Sequence, residues 1–165
     1  MFNVLLVEDN SGTRMLIKKI LTRKFYCNVY TANDGVEALK LLPIHKPDFI
    51  ILDYMMPNMD GYEFLKKIRF KKEYHDLPVI MITAISEKMA LKKVLSLGVS
   101  DYILKPFNIE TTMEKIAKIM FNRNNSLHKK LDNLDRRIHL LEKRNQELKK
   151  TKNGPSLIDK KIFLN

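Results

Sequence analysis

Cysteine is nearly absent: Cys27 is the one example in 165 residues. That excludes an internal disulfide and points to a reducing compartment. Long apolar runs are missing as well. The first, Val4–Val7, ends at once in Glu8 and Asp9, which is too short for a secretory core or a membrane span. A cytoplasmic protein with no membrane partner is therefore expected. The four histidines, His45, His75, His128 and His139, are scattered without metal-ligand spacing, so they read as surface residues. No long-period repeat or low-complexity segment occurs. Between Phe107 and Asn153 there is neither glycine nor proline, and nothing in that stretch forces a helix to break.

The composition, 45% hydrophobic and 30% charged, is that of a globular protein. Its size allows one ordinary domain plus an appendage. The net charge of +11 is unevenly placed. Residues 1–122 hold 18 Lys and Arg against 14 Asp and Glu, a balance of +4; residues 123–165 hold 12 against 5, a balance of +7. A boundary near residue 122 follows from this shift. The expected divisions are a domain over 1–122, a helical extension over 123–152 and a flexible tail over 153–165.

Within the first division, short apolar runs alternate with amphipathic stretches. Strands are expected at Val4–Val7, Asn28–Thr31, Phe49–Leu52, Val79–Ile82 and Tyr102–Leu104. Helices are expected at Thr13–Lys24, Gly35–Leu42, Tyr62–Phe70 and Glu87–Leu97, with one more starting near Ile109. Continuous apolar strands separated by helices are the pattern of βαβ crossovers, so the fold class is α/β, a doubly wound parallel sheet. In such a sheet every strand C-terminus opens on one edge, the usual ligand crevice. Glu8 and Asp9 follow the first strand, Asp53 the third, Thr83 the fourth and Lys105 the fifth. Asp34, Asp48 and Asp101 fall at strand starts or in turns instead.

Taken alone, Asp53 reads equally well as a helix cap or turn former. With four other polar residues converging on the same edge, a shared site is the better reading. Three clustered carboxylates repel one another, and a hard divalent cation such as Mg²⁺ resolves the conflict while leaving room for a phosphate. A carboxylate beside such an ion is a competent nucleophile toward phosphorus, with a lysine as second counter-charge and a hydroxyl as donor. One rival phosphate site is Asn10–Arg14, "NSGTR", which is similar in outline to the phosphate loop of flavodoxins. It has a single glycine and follows two acids that repel an anion.

The stretches "VLLVEDN", "FIILDYMMPNMDGYEF", "PVIMITA" and "GVSDYILKPF", in this order and spacing, resemble the receiver domain of two-component response regulators. The resemblance covers about residues 1–122. It implies a flavodoxin-like strand order 2-1-3-4-5 and a phosphoryl group accepted on Asp53 from a sensor histidine kinase or phosphotransfer protein. Mg²⁺ would be held by Glu8, Asp9, Asp53 and the backbone carbonyl of Met55. Lys105 would pair with the phosphoryl group, the Lys105–Pro106 peptide would be cis, and Thr83 with Tyr102 would form the switch pair. Such a protein is a phosphoryl acceptor that slowly dephosphorylates itself, with no separate catalytic domain. Met55 and Ile85 stand where the resemblance places residues bordering the hydrolytic water, and two apolar side chains there imply a long-lived phosphoryl group.

In the C-terminal quarter, Leu127, Leu131, Leu134, Ile138, Leu141, Asn145 and Leu148 recur at alternating spacings of four and three. This is a heptad seam with Leu131, Ile138 and Asn145 at a, and Leu at every d. Leu at d with one Asn at a favours a parallel two-stranded coil. Across a parallel pair, Lys130 meets Asp135, Arg137 meets Glu142, and Arg144 meets Lys149, so two contacts attract and one repels. Met120, Ala117 and Met113 continue the register backward, interrupted by Asn124. A homodimer through this helix is expected, with signalling by protein contact. The competing readings are a DNA-binding regulator using the basic helix, and the receiver and linker of a longer effector. With no aromatic interleaving and no recognition motif, nucleic acid is the weaker partner.

Overall fold

Three of the strands carry continuous apolar runs buried on both faces, with one polar residue at an end of each. In the computed structural model, which describes residues 1–84, 92 and 95–152 with side chains omitted at 145 and 147–152, these are β1 (Asn3–Val7), β3 (Phe49–Asp53) and β4 (Val79–Thr83). The edges are β2 (Asn28–Ala32) and β5 (Asp101–Leu104). All pairings are parallel and the order is β2-β1-β3-β4-β5, the doubly wound arrangement implied by the resemblance.

Strand periodicity divides the core in two. Leu5, Val7, Ile50, Leu52, Val79 and Met81 form one layer with α2 (Gly35–His45) and α3 (Gly61–Arg69). Val4, Leu6, Phe49, Ile51, Ile80 and Ile82 form the other with Ile17 and Leu21 of α1 (Ser11–Lys24) and Ile116 and Ile119 of α4 (Ile109–Lys152). A one-residue slip in any central strand would exchange the layers, so the register is firmly set.

Helix starts are fixed by side-chain caps. Asn10, Asp34 and Asp60 accept from the N–H of Thr13, Glu37 and Glu63 at 2.9, 2.8 and 2.7 Å, satisfying donors that a helix terminus leaves open. Helix α1 therefore begins two residues before Thr13. Helix α2 runs past Leu42, where the sequence suggested an end, through Pro43 to His45. Proline in the last turn forfeits one helical donor, and Lys46 in the left-handed region closes the helix by donating to the Leu42 carbonyl at 3.1 Å. The helix expected at Glu87–Leu97 falls largely outside the described residues, as do Ile85 and the tail from 153.

At the N-terminal edge of the sheet, Arg69 ties three segments together. Its guanidinium donates to the carbonyls of Tyr74, Leu77, Leu97 and Gly98 at 2.7, 2.9, 3.0 and 3.0 Å. It borders a cavity of about 500 Å³ with Leu77, Leu97 and Gly98.

The chain separates into two compact units, Met1–Asn122 and Arg123–Asn165. In the second, the described seam residues Leu127, Leu131, Leu134, Ile138 and Leu141 are 43–60% exposed. The side chains of Asn145 and Leu148 lie outside the described set. Among the described residues, no helix is long and apolar enough to cross a membrane.

Candidate functional site

The strand order places the ends of β1, β3, β4 and β5 side by side. Val7 lies opposite Leu52, Asp53 opposite Ile82, and Thr83 opposite Leu104. Polar residues at those ends therefore meet although up to 97 positions separate them in the chain. Carboxylate oxygens of Glu8, Asp9 and Asp53 lie within 4.8 Å of one another. The Lys105 ammonium donates to Asp53 Oδ2 at 2.8 Å and to Glu8 Oε1 at 3.2 Å.

One ammonium cannot balance three carboxylates. Glu8 is fully buried, and burial raises its pKa to about 7, with repulsion from Asp53 adding to the shift and Lys105 opposing it. Its Oε2 lies 3.1 Å from Lys105 Nζ yet has no hydrogen bond of acceptable direction. Burial alone would lower the Lys105 pKa, but the hydrogen bonds and charges of Asp53 and Glu8 together outweigh it and raise the value. An orphaned buried carboxylate oxygen amid excess negative charge fits a hard divalent cation.

Thr83 is the last residue of β4 and buried, and its carbonyl accepts the Lys105 N–H at 2.8 Å. The Lys105–Pro106 peptide is cis. Tyr102, on β5, is half-buried against the α2/α3 layer. Lys115 of α4 sits 5.1 Å from the centre of its ring and bonds Asp101, which in turn accepts the Tyr102 N–H at 2.8 Å. Met55 is 62% exposed and, with Asp9, Tyr54, Met56 and Asp60, lines a cavity of about 440 Å³.

Two further residues shape the site. Gly61 opens α3 directly against the end of β3: a Cβ there would overlap the Asp53 carbonyl oxygen and lie 3.0 Å from Tyr54 Cα. Arg14 reaches back from α1 to the carbonyls of Glu8 and Asp9. Its place in the first helical turn lets it do so, since helical side chains lean toward the N-terminus.

The sequence profile of the response regulator receiver domain matches residues 4–117. The chain belongs to the response regulator receiver family. A chemotaxis protein CheY homolog from Campylobacter jejuni is 39% identical over 118 residues, covering 71% of this chain and 91% of that protein. The chemotaxis response regulator CheY4 of Vibrio cholerae matches with a TM-score of 0.67 at 32% identity, over 72% of this chain and 98% of that one. A CheX-CheY-BeF3-Mg²⁺ complex from Borrelia burgdorferi matches with a TM-score of 0.67 at 31% identity, over 72% and 89% respectively. CheY-like receivers are signalling proteins rather than classical enzymes.

Proposed function

We propose that this receiver accepts a phosphoryl group on Asp53 from a histidine kinase or phosphotransfer protein and signals by protein contact. The carboxylate oxygen of Asp53 that Lys105 does not hold attacks phosphorus. The bond from phosphorus to the donor nitrogen breaks, and its electron pair leaves with the imidazole. Lys105, already placed on Asp53 and Glu8, counters charge on the arriving group. The Thr83 hydroxyl donates to it, and Tyr102 responds behind that hydroxyl. Glu8, Asp9, Asp53 and the Met55 carbonyl would hold Mg²⁺, which would neutralise charge on the transferring oxygens.

Residues 1–122 form the receiver and 123–152 a helical extension through which a homodimer assembles. The protein acts in the cytoplasm. The observation that carries the phosphoacceptor reading is the convergence of three carboxylates and Lys105 from three separate segments within hydrogen-bond or ligand reach. A structural neighbour whose complex contains BeF3 and Mg²⁺ supports it.

Incubation with acetyl phosphate and Mg²⁺ tests the reading on a phosphate-affinity gel. A retarded band that needs Mg²⁺ and disappears in Asp53→Asn is expected. Equal labelling of Asp53→Asn would remove Asp53 from the role.

A further inference from the structure

Three consecutive backbone carbonyls follow the end of β1, those of Glu8, Asp9 and Asn10, and a single residue holds all three. Arg14 Nη1 donates to Glu8 O at 2.6 Å and to Asp9 O at 3.0 Å, while its backbone N–H donates to Asn10 O at 2.9 Å. The third is an ordinary helical bond; the first two are not. The guanidinium thus lies beside an acidic cluster yet binds backbone there, and among the described residues it makes no ion pair.

The effect on the two acids differs. Glu8 is buried, and its side chain is held by Lys105 and by the Asn10 N–H at 3.3 Å. Asp9 is exposed, and among the described residues no hydrogen bond restrains its carboxylate. Its aim then depends on its backbone and on the rotamers that backbone allows. The Glu8 carbonyl belongs to the peptide plane before the Asp9 Cα and the Asp9 carbonyl to the plane after it, so Arg14 pins both dihedrals of Asp9.

We propose that Arg14 is a positioning residue for the divalent cation, clamping the two peptide planes around Asp9 so that its carboxylate meets those of Glu8 and Asp53. The inference rests on reading these three acids as the Mg²⁺ site. It makes a prediction opposite in sign to simple electrostatics. The guanidinium is a positive charge near a cation site, so charge alone says that deleting it tightens Mg²⁺ binding. Positioning says that binding weakens, as when other supporting partners of metal ligands are removed.

The test is a Mg²⁺ titration of the full chain followed by amide NMR shifts, with no phosphodonor. Arg14→Ala should weaken Mg²⁺ binding about tenfold. In an Asp9→Ala background the same substitution should cause no further loss, because Arg14 acts through Asp9. Should Arg14→Ala fail to fold, Arg14→Gln carries the test, since its amide is too short to reach both carbonyls. Unchanged or tighter binding in the Asp9-containing protein, or an equal loss in both backgrounds, overturns the proposal and leaves the metal site standing. No Mg²⁺ binding by the unsubstituted protein overturns both.

Discussion

Glu8 keeps its proton to about pH 7 in the metal-free fold, whereas an unfolded chain releases it near 4.5. Between those values the folded state binds more protons than the unfolded one, so stability falls as pH rises through that window. Thermal melts in EDTA should show Tm dropping from about pH 4.5 to about 7 and levelling above, and Glu8→Gln should flatten the slope. An unchanged slope in that variant would assign the effect to other groups. Met55 is exposed beside the cluster, where an apolar side chain hinders an approaching water. Met55→Asn should therefore shorten the lifetime of the phosphoryl group, measured as phosphate release after the donor is removed; an unchanged lifetime contradicts this. Glu8, Asp9, Asp53, Thr83 and Lys105 were legible in the sequence because each ends or follows an apolar run, and topology does the rest. Arg14 was not, because its contacts are to backbone carbonyls, which carry no residue-type signature.

Among the elements, β1, β3 and β4 were readable because strands buried on both faces read as near-continuous apolar runs. Their limits were less so: Asp53 and Thr83 are the last residues of their strands rather than the first beyond them. A polar side chain can occupy a ladder position when the next strand pairs with its backbone, as Ile82 does with Asp53. The end of α2 was misplaced for a similar reason, since Pro43 spends only one donor in a last turn that Lys46 closes. The junction of β3 with α3 admits no side chain at position 61. Gly61→Ala should push the helix start off the strand end, costing about 1–3 kcal/mol, read as a lower urea midpoint with unchanged slope. A midpoint equal to that of the unsubstituted protein would mean the junction yields without strain.

For the whole molecule, the heptad spacing exposed a surface that the fold of residues 1–122 did not require. The described apolar seam of α4 carries no buried partner, and pairing with a second copy would cover it. Parallel pairing sets Lys130 against Asp135 and Arg137 against Glu142, whereas antiparallel pairing sets the basic g positions Lys130, Arg137 and Arg144 against one another. Ile138→Asp should shift the protein from dimer to monomer in sedimentation equilibrium while leaving phosphoryl uptake by Asp53 intact; a dimer that survives it must use another surface. The two ends of the sheet also differ in kind. At one stand three carboxylates and an ammonium, groups whose charge and partners can change. At the other, Arg69 grips four carbonyls, groups that no ionisation or phosphate alters. A spectroscopic label fixed beside Arg69 therefore offers a reference frame against which displacement at the opposite end can be measured.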